Sequence, residues 1–332
     1  MARTPHGLLV WLAVACLGFA FAPLPPAPPP MSADEIASTQ RAIDRLVLET
    51  KAWQTERGDR TIPWDDASGH LVIVIDDIGR ELHLLDQLLG LRFQLVFSVL
   101  PGAVYAPGAQ LRLRADRRRY REIMLHLPMQ PDDAAHMREG DEAREDFLVV
   151  DDDPQALRRK LEAALVHVPA AVGVNNHMGS RLTVDSEAMQ TVMAVLAERG
   201  LFFLDSRTTA QTVAERAALD AGVPAIARRV FLDEDKSEMA IEAALDRAAE
   251  LARSEPIVAI GHPSPELVAV LERRLPQLHA VGIGVYPLST LLLHRPPAAS
   301  PAATPSGSPD ADIDASAERG AKQHAAPTIS PY

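Results

Sequence analysis

Residues 71 to 79, Leu-Val-Ile-Val-Ile-Asp-Asp-Ile-Gly, constrain the fold more than any other stretch of this chain. Five apolar residues, four of them β-branched, stop abruptly at two carboxylates. An unbroken apolar run of this length reads as a strand buried on both faces, as in a parallel sheet covered by helices. Charges at the carboxyl end of such a strand lie where α/β folds build their active sites. Successive strand residues face opposite ways, so Asp76 and Asp77 can take two different roles at one rim. The competing reading is that one of them only caps a helix beginning near Arg80.

Downstream, apolar runs alternate with helical patterns. The strand candidates are 71–75, 93–99, 122–126, 170–174, 201–204, 226–231, 256–260 and 281–286. Between them, Ala106-Pro107, Asp153-Pro154, Asp185-Ser186-Glu187 and Ser264-Pro265 pair a helix cap with proline or acid in the first turn. Seven or eight β-α units predict a (β/α) barrel, irregular or incomplete, over residues 67–294. A doubly wound sheet is the alternative, but no Gly-x-Gly-x-x-Gly follows the first strand, which argues against dinucleotide binding.

The flanks read differently. Residues 8 to 22 are apolar and follow Arg3, so residues 1–22 read as a signal peptide or N-terminal membrane anchor. Ala20-Phe-Ala22 resembles a cleavage site, while Pro23 hinders cutting, and both outcomes stay open. Residues 23–66 hold a Pro/Ala spacer and an amphipathic helix from Ser32 to about Arg57. Residues 295–332, rich in Pro, Ala and Ser, read as a disordered tail. The sole cysteine is Cys16, so the exported portion needs neither disulfides nor thiolate ligands. The expected location is periplasmic or otherwise extracytoplasmic, with membrane contact only through the N-terminal segment. A net charge of −12, with no Lys/Arg run long enough to track a phosphate backbone, argues against nucleic acid as a partner.

What stands just after each strand is informative. Asp76 and Asp77 follow the first and His126 ends the third. Asn175-Asn176-His177-Met-Gly-Ser-Arg181 follows the fourth, Asp205-Ser-Arg207 the fifth and Gly261-His262-Pro the seventh. A single histidine at a strand end often only caps a carbonyl. Three of the 11 histidines, His126, His177 and His262, follow three different apolar strands, and their joint placement points to a site. An aspartate with two histidines, and no cysteine, is the ligand set of zinc or a similar divalent ion with an open position. Such an ion, with a carboxylate base and an imidazole acid beside it, suits hydrolysis of an amide or ester.

The motifs Val-Ile-Asp-Asp-Ile-Gly, Ile-Met-Leu-His-Leu-Pro-Met-Gln-Pro, Gly-Val-Asn-Asn-His-Met-Gly-Ser, Phe-Leu-Asp-Ser-Arg-Thr-Thr and Ile-Gly-His-Pro occur in order over about residues 70 to 291. They resemble the divergent polysaccharide deacetylase family, which is related to the carbohydrate esterase family 4 deacetylases. The resemblance implies an exported metal-dependent deacetylase of an acetylated cell-envelope carbohydrate. It gives Asp76 the role of general base, Asp77 and His126 those of metal ligands, and His262 that of general acid. The better-known deacetylases carry a second ligand histidine four residues after the first, where this chain has Gln130. His177 is the favoured replacement; alternatively Asn175 and Asn176 hold substrate while His177 caps a loop. Arg181, Asp205 and Arg207 are candidates to orient the base or bind sugar hydroxyls, against a purely structural Asp205–Arg207 pair.

The segment 127 to 153 carries ten acids and suits a lid or groove wall that disfavours anionic polymers. Aromatic residues make up only 5% of the chain, leaving few platforms for stacking sugars. That scarcity favours the rival function, a catalytically inactive envelope binding or regulatory module that captures a protein partner on the same fold.

Overall fold

The computed structural model describes Ser38 and residues 58–115, 119–138 and 144–295. The signal or anchor, the spacer, most of the amphipathic helix and the tail expected from the sequence lie outside the described residues. Contacts divide the chain into Met1–Arg295 and Pro296–Tyr332, and the described residues all belong to the first unit. Among the described residues no helix is long and apolar enough to cross a membrane.

Among the described residues, nine parallel strands form one curled sheet, an open half-barrel. They are β1 (Gly69–Ile78), β2 (Val96–Val99), β3 (Glu122–Met129), β4 (Gly173–Met178), β5 (Phe202–Asp205), β6 (Ala225–Ala227), β7 (Val230–Phe231), β8 (Ile257–Gly261) and β9 (Ile283–Val285). The spatial order is β6-β5-β4-β3-β2-β1-β8-β7, with β9 paired to the start of β1. The helices between them are α1 (His83–Gly90), α2 (Ala106–Ala115), α3 (Pro154–His167), α4 (Ser186–Arg199), α5 (Ala214–Asp220), α6 (Glu238–Leu251), α7 (Pro265–Ala280) and α8 (Leu288–His294). Three starts follow the capping logic of the sequence. The side chains of Asp153, Asp185 and Ser264 accept hydrogen bonds from the N–H groups of Ala156, Ala188 and Leu267.

Apolar clusters on both faces hold the sheet. The larger, including Leu71, Ile73, Ile75, Phe97, Leu125 and Phe203, lies between the strands and the helices. The smaller lines the concave face and contains Val72, Val74, Val96, Met124, Leu204, Val258 and Ile260, with Leu288 and Leu291 of α8. Period-two alternation sends odd and even residues of each strand to these two clusters.

Several boundaries differ from the sequence reading: β1 runs to Ile78 and takes in Asp76 and Asp77, β2 begins only at Val96, β3 runs on to Met129, and two further differences follow. The candidate strand 226–231 is two short strands, β6 and β7, separated at Arg228 and Arg229. The fourth strand begins at Gly173 and runs on to Met178, so Asn175, Asn176 and His177 lie within β4, not beyond it. The apolar pattern stops at Val174, but the ladder continues through His126↔Asn175, Leu127↔Asn176 and Pro128↔His177. Backbone pairing is indifferent to the polarity of side chains that find partners of their own.

Candidate metal and acid–base site

The concave face explains which residues meet. Continuing each strand past the small apolar cluster by two residues, on the same face, leads from Val74 to Asp76, Val96 to Ser98, Met124 to His126, Leu204 to Ser206 and Ile260 to His262. Asn175 and His177 hold the same face of β4. Asp77 belongs to the opposite face by parity. It reaches the site because β1 shifts register between Ile75 and Ile78, and Asp77 takes φ 56° there. A bulge of this kind re-aims a side chain, here in the left-handed region that a non-glycine residue rarely adopts.

Asp77, His126 and His177 converge. Asp77 Oδ1 lies 3.3 Å from His126 Nε2 and 3.3 Å from His177 Nδ1. The two imidazole nitrogens are 3.2 Å apart. These atoms form a compact triangle, the one group among the described residues with the makings of a metal site. Ligands about 2.1 Å from a tetrahedral ion stand about 3.4 Å from one another, so the spacing fits a zinc-sized ion. The chemistry fits too, because Asp77 Oδ1 is buried with no well-aligned donor, only the His126 and His177 nitrogens at 3.3 Å. A buried carboxylate oxygen in that condition calls for a cation or a proton donor.

Asn175 sets the orientation of the neighbours. Its Nδ2 donates to Asp76 Oδ1 at 3.0 Å, Asp76 Oδ2 at 3.2 Å and Ser206 Oγ at 3.1 Å. A carboxylate only accepts, so the amide nitrogen must face Asp76 and the amide oxygen must face away. That oxygen accepts from His126 Nδ1 at 3.0 Å and from Ser98 Oγ. His126 therefore carries its proton on Nδ1 and turns the lone pair of Nε2 toward Asp77 and His177, the tautomer a metal ligand needs.

The two acids diverge. Burial pushes the Asp76 carboxyl up, and the nearby His126 and His262 only partly offset this. Burial would raise Asp77 as well, but the imidazoles of His126 and His177 hold it well below the usual carboxylate range. Burial depresses His126, yet Asp76 and Asp77 outweigh it and leave the net shift upward. Burial lowers His177, and the proximity of His126 adds to this. Two adjacent carboxyls pushed in opposite directions suit a proton acceptor beside a permanent anion.

His262 stands at the edge of the site with its side chain 41% exposed. Asp233 accepts from its backbone N–H at 2.9 Å and faces its Nδ1 at 3.1 Å. Burial works against its charge, but Asp233, Asp77 and Asp76 overcome it and push the imidazole up to about 9. Phe231 lies alongside, ring centroids 6.3 Å apart, and the Arg228 guanidinium sits 3.5 Å over the Phe231 ring.

The structure also shows the surroundings of the other expected residues. Asn175 and Asn176, read as candidate substrate contacts, are fully buried with their amides bonded internally. Asn176 donates to Met178 O at 2.7 Å and accepts from Ser206 N at 2.9 Å, fixing the turn after β4. Asp205 is buried and accepts from Arg207 N at 2.8 Å and Thr212 Oγ1 at 2.9 Å, which shapes a loop and is no side-chain ion pair. Arg181 and Arg207 are exposed on the surface. Gln130 does not face the metal triangle either. Its Oε1 accepts from Val150 N at 2.9 Å, and its carbonyl accepts from Arg181 N and Leu182 N. It therefore fastens the acidic segment, whose Leu148 bridges to Met129 and whose Phe147 ring lies 6.1 Å from that of His177.

Sequence reasoning missed Ser98, Ser206 and Asp233. Ser98 and Ser206 were within reach of the parity rule. Asp233 follows the apolar run Val230-Phe-Leu232, a strand end resembling the others.

Known proteins share this architecture. The chain is 37% identical over 207 residues to the uncharacterized protein YibQ of Escherichia coli, the match covering 62% of each chain. The chain thus spans less than two thirds of that relative's length. An uncharacterized protein of Haemophilus influenzae is 34% identical over 223 residues, covering 66% of this chain and 76% of the relative. A crystal structure of an uncharacterized protein from Agrobacterium tumefaciens has the same fold, with a TM-score of 0.61 and 22% identity over 70% of this chain and 93% of that one. The family model for the divergent polysaccharide deacetylase matches residues 73–292, and the chain belongs to that family.

Proposed function

We propose that the protein is a metal-dependent deacetylase, exported to the periplasm or an equivalent extracytoplasmic space, acting on an acetylated cell-envelope carbohydrate. The observation that carries this reading is the triangle of Asp77 Oδ1, His126 Nε2 and His177 Nδ1, with a second carboxylate, Asp76, 3.7 Å from His126 Nε2.

Asp77, His126 and His177 would hold the ion, and a set of two imidazoles and one carboxylate without sulfur favours zinc. When bound, the ion polarises an acyl carbonyl and makes water a stronger acid. Asp76 then has the task of a general base. It is held by Asn175, and its raised affinity for protons suits accepting one from the attacking water. As the acyl C–N or C–O bond breaks, His262 has the proton to give to the departing nitrogen or oxygen. Asp233 keeps that proton in place by favouring the imidazolium and by occupying Nδ1, which leaves Nε2 for the leaving group. The products are acetate and a free amine or hydroxyl.

The test is metal analysis of the purified full chain, followed by acetate release from a panel of N- and O-acetylated glycans. One equivalent of zinc that Asp77→Ala and His126→Ala remove, with acetate released by the loaded native chain, is the expected result. A native chain that captures an envelope protein stoichiometrically, with neither metal nor acetate release, would instead identify a binding module and overturn the reading.

A further inference from the structure

Beside Asp77 lies a cavity of about 360 Å³ that the metal and acid–base chemistry does not use. Arg80 and Arg144 line it, together with Glu145 and an apolar wall that includes Leu100, Val104 and Tyr105. It is next to the candidate metal site: Arg80 Nε is 3.3 Å from Asp77 Oδ2. On its other side, the loop bearing Arg144 and Glu145 leads into Phe147, whose ring lies 6.1 Å from the His177 ring.

We propose that this cavity is a subsite for a carboxylate carried by the acylated substrate, with Arg80 and Arg144 as its specificity-determining residues. The inference rests on the deacetylase reading and deepens it by naming the substrate class, an acetylated sugar bearing a short-chain or ring carboxylate.

Three features select that class. A guanidinium presents a planar fork that matches a carboxylate, and two around one cavity discriminate strongly against a neutral group. The lining charges, two arginines and one glutamate, are shared with Asp77, which Arg80 meets at 3.3 Å, so the wall offers at most one uncompensated positive charge and suits a monoanion better than a phosphate dianion. Glu145 is held in place, its Oε2 accepting from the N–H of Gly102 at 3.0 Å, and its charge is felt by Arg80. Finally, Val104 and Tyr105 are 57% and 48% exposed, apolar surface available to the carbon skeleton that bears the acid. The sequence reading assigned the acidic 127–153 segment to repelling anions. The fold places Arg144 of that same segment on the cavity wall, so this acidic segment also presents a cation there.

The experiment uses the full chain and three probes: N-acetylglucosamine, its C6-oxidised uronic acid and its 3-O-lactyl ether. Equilibrium binding by calorimetry is measured on the native chain and on Arg80→Ala, Arg144→Ala and Arg144→Lys, with thermal melts to verify folding. Acetate release is measured on the same panel. One of the acids binds the native chain at least about tenfold more tightly than the neutral sugar, and the two acids distinguish a ring carboxylate from one on an ether arm. Arg144→Ala brings the ratio close to one, and Arg144→Lys, which keeps the charge but loses the fork, gives an intermediate ratio. Equal binding of all three probes, no measurable binding of either acid, or a preference that survives both alanine variants overturns the subsite. A preference without acetate release upholds the subsite and sinks the deacetylase reading. Equal binding with equal acetate release does the reverse.

Discussion

Asn175 donates its amide to both oxygens of Asp76, at 3.0 and 3.2 Å, from a position where it is completely buried. Because the other end of the same amide accepts from His126 Nδ1 at 3.0 Å, one side chain fixes both the candidate base and the tautomer of a candidate metal ligand.

Asn175→Leu should therefore affect two readouts together. Outer hydrogen-bond partners of metal ligands typically contribute about 10–100-fold to affinity, and zinc affinity by chelator competition should fall in that range. Leaving Asp76 without its donor should also destabilise the fold by about 1–3 kcal/mol in denaturant titrations. Asn175→Asp would place an anion against Asp76, raising the proton affinity of the pair further. The acid limb of the rate profile should move to higher pH. An unchanged limb in Asn175→Asp would remove Asp76 from the role of base.

His262 and Asp233 set the basic limb. The imidazole is pushed up to about 9 with Asp233 at its Nδ1. A raised imidazole pKa means that the charged form stabilises the fold fully below its ordinary value of about 6.5, and that this contribution is lost as pH rises through about 9. The effect on stability is small because the side chain is 41% exposed. Activity reports it better: the native rate should decline above about pH 9, and Asp233→Asn should bring that decline toward neutrality. A basic limb that Asp233→Asn leaves in place would assign it to another group.

His177 and Gln130 can be separated by a swap. His177→Ala should abolish zinc binding, because His177 Nδ1 stands 3.3 Å from Asp77 Oδ1. Adding Gln130→His to that variant should restore nothing, since the Gln130 side chain is turned to Val150 N at 2.9 Å. Recovery of a full equivalent of zinc in the double variant, measured by elemental analysis, would show that position 130 reaches the metal after all.

The start of the domain depends on a buried ion pair. Arg121 at the foot of β3 meets Asp59 in a two-pronged contact, at 2.7 and 3.0 Å, with side chains 3% and 5% exposed. Removing either partner strands a buried charge, which costs about 3–5 kcal/mol. Asp59→Ala should lower the denaturant midpoint accordingly, while Arg158→Ala, which breaks a solvent-exposed pair with Glu198, should change stability by less than about 1 kcal/mol.

The amino-acid sequence by itself determined the alternation of buried strands and capped helices, because apolar runs and N-cap residues act locally and keep their meaning wherever the chain goes. It also brought Asp77, His126 and His177 under suspicion, since polar residues ending apolar strands are legible one strand at a time. Only the tertiary structure decided what those residues do to each other. The bulge that turns Asp77 inward depends on how β1 registers with β2. The approach of His177, and not of position 130, to Asp77 and His126 depends on the pairing of β3 with β4. The burial of Asn175 among Asp76, Ser98, His126 and Ser206 depends on four other segments of the chain arriving together. Such placements are set by sheet register and packing between distant segments, and no local window of sequence contains them.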